Sequence, residues 1–238
     1  VARRKLMSKF YVSKLNEVYV QVDSPELFML KELVDYFTFK VPGAEFMPSY
    51  KNKYWDGKIR LFNPMNCKLY LGLVSQLKFF CEKNDYEIVY DEDLKDQEFT
   101  PKDLESLAKF IKPQSQGAPI AYRDYQLDAI YHAIKKNRTL LLSPTASGKS
   151  LIIYTLVRFY NMHPEVKDKK ILIIVPTTSL VAQMYGDFKD YGWNVEKYCH
   201  KIFAGQDKHS DKKVIISTWQ SIYKMPREYW DQFGVVIG

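Results

Sequence analysis

The chain has 238 residues, 46% of them hydrophobic and 26% charged. At roughly 100 to 200 residues per domain, that sustains one large core or two smaller ones and excludes a disordered or fibrous chain. Lysine and arginine number 35 against 28 acidic residues, a formal charge of +7, which suits a polyanionic partner without requiring one.

At the N-terminus, Val1-Ala-Arg-Arg-Lys5 is charged, with no apolar stretch or small-residue cleavage site behind it. That excludes a secretory signal and leaves the cytoplasm as the expected compartment. Met7-Ser8-Lys9 reads as a natural initiator, so the six residues before it are set apart from the fold. Lys9 to Leu15 and then Val18, Val20 and Val22 alternate apolar and polar, as strands do. Ser24-Pro25-Glu26 reads as a helix start with Ser24 as N-cap, and Leu27, Leu30, Val34 and Phe37 follow at helical spacing. Lys58 to Phe62, a turn at Asn63-Pro-Met-Asn66 and Lys68 to Leu71 predict a hairpin. Val74, Leu77, Lys78 and Cys81 predict a second helix ending near Asn84, and residues 101–111 a third.

Charge is uneven across this part. Residues 40–78 hold 7 Lys/Arg against 2 Asp/Glu, whereas residues 82–105 hold 3 against 10. The acidic stretch reads as a solvated loop and helix surface. In the basic stretch, Lys51, Lys53, Tyr54, Trp55, Lys58 and Arg60 alternate cations and aromatics around Asp56-Gly57. Such cations neutralise phosphates while Trp55 or Tyr54 stacks on an exposed base or wedges at a junction; the competing reading puts both aromatics in the core behind a solvated lysine rim. Cys67, Cys81 and Cys199 are odd in number and scattered, which excludes a disulfide framework or a paired zinc site.

Residues 112–119, Lys-Pro-Gln-Ser-Gln-Gly-Ala-Pro, break the composition and predict a linker. The expected division is a small α+β domain over 8–112, a linker at 113–119 and a second domain over 120–238. In the second, helices at 123–136, 149–160 and 179–190 alternate with apolar strands at 139–142, 171–175, 214–217 and 235–237. Uninterrupted apolar strands between helices predict an α/β domain whose parallel sheet is covered on both faces. The longest uncharged run, 171–186, has 16 residues including Pro176, short of the roughly 20 a membrane span needs, so no membrane partner is expected. No internal repeat is evident. None of the four histidines suggests a catalytic base: His132 falls in a helix, and His163, His200 and His209 in polar loops.

Ser143-Pro-Thr-Ala-Ser-Gly148-Lys149-Ser150 lies where the predicted strand 139–142 turns into a helix, the setting of a phosphate-binding loop. Thr145, Ala146, Ser147 and Gly148 would present backbone amides to a triphosphate, Lys149 its ammonium, and Ser150 a hydroxyl to magnesium. Ser143 stands where the strict pattern has its first glycine. Upstream, Tyr122-Arg123-Asp-Tyr-Gln126 opens a helix, and a glutamine amide matches the donor and acceptor edge of adenine.

Together with Ile-Val-Pro176-Thr177-Thr178-Ser-Leu-Val-Ala-Gln and Ile-Ile-Ser-Thr218-Trp-Gln220-Ser221, these segments resemble the Q motif and motifs I, Ia and Ic of superfamily 2 helicases, in order and spacing. Tyr50 to Phe62, followed by Leu71 to Cys81, further resembles the N-terminal domain of the UvsW-type phage recombination helicases. The likeness extends over almost the whole chain. It implies a RecA-like lobe, ATP and magnesium, and DNA, branched or forked, remodelled by junction migration, fork regression and R-loop unwinding in a phage-infected bacterial cytoplasm, with partners among recombination or replication proteins. It assigns Gln126 to adenine, flanked by Tyr122 or Arg123, and Pro176, Thr177, Thr178, Thr218, Gln220 and Ser221 to the backbone of the tracked strand. Thr and Ser also favour helix N-caps and turns after strands, a competing reading for these positions.

The same family would place Asp-Glu of motif II directly after Phe233-Gly-Val-Val-Ile-Gly238. The chain is therefore expected to be an N-terminal fragment without its catalytic carboxylates and inactive as an ATPase. Alternatives are another nucleic-acid-stimulated ATPase of the superfamily, such as a restriction translocase or RNA helicase, a DNA-binding module without turnover, or a small-molecule kinase. The Pro176-Thr-Thr and Thr218-Trp-Gln segments argue against the kinase.

Overall fold

The computed structural model describes residues 8–91, 94, 98–203, 205 and 207–238. The initiator reading at Met7 and part of the acidic stretch lie outside them. The chain divides into two compact units, residues 1–95 and 96–238.

In the first unit, β1 (Lys9–Lys14) and β2 (Tyr19–Asp23) form on the alternating pattern. They sit in a five-stranded sheet with β5 (Phe62–Asn63), β6 (Lys68–Tyr70) and β7 (Glu87–Tyr90), in the order β5-β6-β2-β1-β7. Phe10, Val12, Val20, Val22, Phe62 and Leu69 point to one face, where α1 (Leu27–Tyr36) and α3 (Val74–Lys83) bring Met29, Leu33, Leu77, Phe80 and Cys81. β7 pairs parallel to β1, with Phe10 opposite Ile88; its Glu87-Ile-Val-Tyr was hidden within the acidic stretch.

Two local expectations are corrected. Helix α1 begins after Glu26, and Ser24 Oγ accepts the Glu26 amide at 3.2 Å in a turn ahead of the helix. The buried stripe is therefore Met29, Leu33 and Phe37, while Leu27 is 82% exposed. The expected 58–71 hairpin also splits. Phe62 and Leu69 are cross-strand partners that both enter the core, so β5 and β6 stay in the main sheet. Residues 58–60 have no core-facing side chain and instead form β4 (Lys58–Arg60), paired with β3 (Thr38–Lys40) in a separate ribbon. Within this excursion, α2 is one turn, Pro48–Lys51.

The second unit begins earlier than the composition break suggested. Helix α4 (Pro101–Ile111) carries a Thr100–Asp103 capping box and buries Leu107 and Ile111 in the second core. Residues 112–119 close as a short hairpin, β8 (Gln114–Ser115) with β9 (Ala118–Pro119), rather than as a free linker. The Gln116 amide and the Ser115 hydroxyl donate to the Asp190 carboxylate at 2.8 and 3.1 Å, which fixes the hairpin to the rest of the unit.

Helices α5 (Asp124–Lys136), α6 (Lys149–Met162) and α7 (Thr178–Asp190) accompany four parallel strands in the order β11-β12-β10-β13. These are β10 (Lys170–Val175), β11 (Cys199–Ile202), β12 (Val214–Thr218) and β13 (Phe233–Ile237). One turn, α8 (Val195–Tyr198), leads into β11, while α9 (Trp219–Ile222) and α10 (Arg227–Trp230) lie between β12 and β13. Both faces are covered: Ile171, Ile173, Val214 and Ile216 join one cluster, Leu172 and Ile215 the other. His200 lies in β11, not in a loop.

No strand forms at 139–142. Leu140 and Leu142 are 82% and 90% exposed, and only Leu141 leans on the core. An apolar strand needs ladder partners to be buried. Among the described residues the sheet ends at β13, which pairs with β10 alone.

The corrected stripe separates two substitutions. Leu33→Ala removes a fully buried side chain and is expected to cost about 2 to 5 kcal/mol in denaturant unfolding, whereas Leu27→Ala stays within about 0.5 kcal/mol. Equal effects would restore Leu27 to the core.

Candidate functional site

Helix α6 has 14 residues, and Gly148 at its N-cap sits at φ +80° with no side-chain cap and no acid in the first turn. Its leading amides are left for an external acceptor, and the helix dipole favours an anion there. Ala146 (φ +61°) gives the preceding loop a second left-handed residue. Ser143, at the irregular first position, joins its hydroxyl to that of Ser147, which also donates to the Pro144 carbonyl at 2.8 Å. The loop is thus closed by serine hydroxyls where the strict pattern has glycine. The Lys149 ammonium donates to the carbonyls of Ser143 (3.2 Å) and Pro144 (2.7 Å). These acceptors are neutral, and a phosphate oxygen in their place makes a stronger, charge-assisted bond.

Gln126 does not present a free amide. It is 5% exposed; its Nε2 donates to the Ser147 carbonyl at 3.0 Å, and its Oε1 accepts the Arg123 amide at 3.0 Å. Tyr125, which sequence reasoning passed over, donates its hydroxyl to the same Ser147 carbonyl at 3.1 Å. Gln126 therefore ties the start of α5 to the loop, in contrast to its expected position against adenine. Tyr122 packs against the core with its hydroxyl on Thr155, and burial pushes its phenol up to about 12. Of this group, Arg123 has an exposed side chain, donating to the Tyr125 hydroxyl at 2.9 Å. Thr145 and Ala146 are exposed, and Ser150 is the second residue of α6. Together these residues fit a triphosphate at the helix terminus. For magnesium they offer the Ser150 hydroxyl; no cluster of three or more carboxylate, histidine or cysteine ligands occurs among the described residues.

The second group comes together through strand register. Val175 pairs with Thr218, so the segments that leave β10 and β12 emerge side by side. Pro176, Thr177, Thr178, Thr218, Gln220 and Ser221 all line one open cleft of ≈ 620 Å³. Thr177 caps α7, accepting the Leu180 amide at 3.3 Å, and the Thr218 and Ser221 hydroxyls hydrogen-bond to each other at 2.9 Å. The cap and turn roles and the cleft-lining role coexist in the same residues. Phe203, Gly205 and Lys208 complete the wall. They were missed because Cys199-His-Lys-Ile of β11 reads as polar, so the loop after it was not recognised as ending at the sheet's carboxyl edge. α6 returns to β10 through residues 163–169, which directs its N-terminus toward that same edge, where ligands bind in open α/β sheets.

In the first unit, Lys51, Lys53 and Lys58 are exposed. Arg60 is held by the Asp56 carboxylate, and the Trp55 indole donates to the Lys58 carbonyl at 2.9 Å, leaving Tyr54 as the exposed aromatic. The Arg60 guanidinium holds the Asp56 carboxyl below its ordinary value. Burial pushes the Cys81 and Cys199 thiols up to about 12, so neither is a thiolate at neutral pH.

The Gly148 geometry is testable. A Cβ there would stand 2.3 Å from Gln126 Nε2, on a backbone that L side chains rarely adopt. Gly148→Ala is expected to cost about 1 to 2 kcal/mol for the backbone alone and more for the displaced glutamine. In a Gln126→Ala background the added cost should shrink; strict additivity in the double-mutant cycle would deny the close approach.

A family model described as DNA helicase UvsW, N-terminal, matches residues 9–91, and one described as type III restriction enzyme, res subunit, matches residues 119–238. The ATP-dependent DNA helicase uvsW of Enterobacteria phage T4 is 36% identical over 224 residues, 92% of this chain and 44% of that protein. A DNA 3'-5' translocase, XPB2, of Sulfurisphaera tokodaii is 26% identical over 50% of this chain and 24% of its own length. The chain thus spans less than half of each curated relative. The crystal structure of the UvsW helicase from bacteriophage T4 superposes with a TM-score of 0.81 at 35% identity, over 96% of this chain and 81% of that one. Through residues 119–238 the chain belongs to the family of the type III restriction enzyme res subunit, and it carries ahead of that region an N-terminal unit of the DNA helicase UvsW type.

Proposed function

We propose that this chain is the nucleotide-binding and DNA-engaging part of an ATP-dependent DNA helicase or translocase that acts on branched or forked DNA. The observation that carries this reading is the Val175–Thr218 register, which brings six residues from two distant segments into one cleft at the carboxyl edge of the sheet. Hydroxyls and helix-start amides in that cleft suit a phosphodiester backbone, which they position without reading sequence. Toward the same edge, the α6 N-terminus takes the triphosphate.

In this reading Lys149 leaves the Ser143 and Pro144 carbonyls for the phosphates, and Gly148 lets the backbone approach them. Ser150 holds magnesium, which when bound supplies positive charge to the phosphate oxygens. Gln126 and Tyr125 sense the loop through the Ser147 carbonyl; an adenine that takes the Gln126 amide must displace that bond. In the first unit, Lys51, Lys53 and Lys58 contact DNA phosphates, while Trp55 and Arg60 hold the local backbone. The similarity to a T4 helicase and to a Sulfurisphaera tokodaii translocase supports this class of activity, and a phage-infected bacterial cytoplasm is its setting.

In the intact protein, Lys149→Ala is expected to lower DNA-stimulated ATP hydrolysis about 100-fold or more while DNA binding persists; retained turnover refutes the loop assignment. Replacing Lys51, Lys53 and Lys58 with alanine should weaken binding to all DNA sequences alike. The slope of log K against log salt should flatten by about 0.9 for each phosphate that is no longer neutralised. An unchanged slope removes these lysines from the interface.

A further inference from the structure

Residues 38–60 form an excursion that packing does not explain. Among its residues only Ala44 and Gly57 are buried. Tyr54 is 87% and Phe46 74% exposed, and Phe39, Met47 and Ile59 are exposed as well. Several large apolar groups concentrated on one short projection mark an interaction surface rather than ordinary surface scatter. The backbone beneath them is held firmly. Gly57 adopts φ +74° and packs so closely that a Cβ would meet the Tyr50 ring at 3.0 Å and the Ala44 Cβ at 3.1 Å. The Val41 amide donates to the Gly57 carbonyl at 2.8 Å, and Asp56 binds both the Lys58 amide and Arg60.

The excursion therefore sorts into two sets. Tyr50, Trp55, Asp56, Gly57 and Arg60 build it; Phe46 and Tyr54 project from it. Among the described residues Lys40, Lys51, Lys53 and Lys58 form no ion pair, and the segment holds five lysines and arginines against two acids. The occupant must present apolar planar faces next to negative charge. Unpaired bases beside their own phosphates have that chemistry, whereas a closed duplex hides its base faces.

We propose that Tyr54 and Phe46 engage unstacked bases at a branch point in DNA, with Lys51 and Lys53 on the flanking phosphates. This rests on the reading that the chain binds DNA, and it adds the feature that distinguishes a branch from plain duplex. Lysines alone bind both kinds of DNA; ring faces add affinity only where bases are open.

The test uses the 238-residue chain and two DNAs matched in length and sequence, a fork with two single-stranded arms and a blunt duplex, read by fluorescence anisotropy. Tyr54→Ala combined with Phe46→Ala is expected to weaken fork binding roughly tenfold or more, leaving duplex binding and the salt slope unchanged. Tyr54→Trp should retain fork binding, and because both side chains are exposed the melting temperature should not move. A fluorescent adenine analogue at the fork should report unstacking with the parent chain but not with the double variant. Unchanged fork affinity, or equal losses on fork and duplex, overturns the proposal while leaving the DNA reading intact. Absence of binding to either DNA by the parent chain overturns the DNA reading itself. Binding of the parent chain, but not the double variant, to phosphatidylglycerol vesicles with no loss on forks assigns the rings to a membrane surface and overturns the proposal.

Discussion

Burial of β10 on both faces and both edges is the constraint from which the second unit follows. Its Ile-Leu-Ile-Ile-Val run can leave water only if β12 and β13 satisfy its backbone groups and a separate apolar layer covers each face. Parallel pairing then leaves every strand ending at one edge. Because Val175 and Thr218 are in register, the residues after them have no choice but to share a rim. The cleft is thus a consequence of how an apolar strand is buried, and the threonines are free to serve as caps and as lining because a strand end followed by a helix start demands both.

The phosphate loop follows a different logic. It is closed on itself: two serine hydroxyls, a lysine ammonium and the Gln126 amide all terminate on loop oxygens. The buried Gln126 amide would be stranded without its bond, whereas the Lys149 ammonium is exposed and its carbonyl partners are of a kind that an anion can replace. The strand expected to lead into the loop does not form, and Leu140 and Leu142 stay in water. The loop geometry is therefore held from its helical side, by α5 and α6, and Gly148 is the point where that support is tightest: its missing side chain is the space that Gln126 occupies.

Periodicity made most long elements legible. Residues 101–111, 171–175 and 178–190 follow their helical or strand patterns closely because tertiary packing reinforces them. The failures have local causes. β7 and β11 carry charged or polar residues and owe their existence to a neighbouring strand, which no local pattern records. The 58–60 segment reads as a continuation of the hairpin, yet partner choice is decided at Phe62, the first residue with a core to enter. At the site, the residues named from the motifs fall in the loop before α6 and in the cleft at the ends of β10 and β12. What they did not show was how the side chains are used at rest, because a glutamine that reads an adenine edge and one that ties down a carbonyl are the same residue in a sequence.

The basic excursion shows the same ambiguity in charge. Arg60 and Lys58 are neighbours on one short strand and look interchangeable as phosphate ligands. Asp56 separates them: it accepts from both terminal nitrogens of the Arg60 guanidinium and from the Lys58 amide, leaving the Lys58 ammonium outside. Such an exposed ion pair contributes little to global stability. Its role is positional, since a two-stranded ribbon with almost no core is marginal unless its turn is fixed. The hydrogen bond from Arg60 lowers the Asp56 carboxyl from its ordinary 3.8. The folded form therefore gains from the charged carboxylate above that value and loses the gain only as the pH falls through the lower folded value. At neutral pH Asp56 is in the charged form that accepts from both Arg60 and the Lys58 amide. The Lys51, Lys53 and Lys58 side chains stay exposed, and Tyr54 projects from a backbone that Asp56, Gly57 and Arg60 fix.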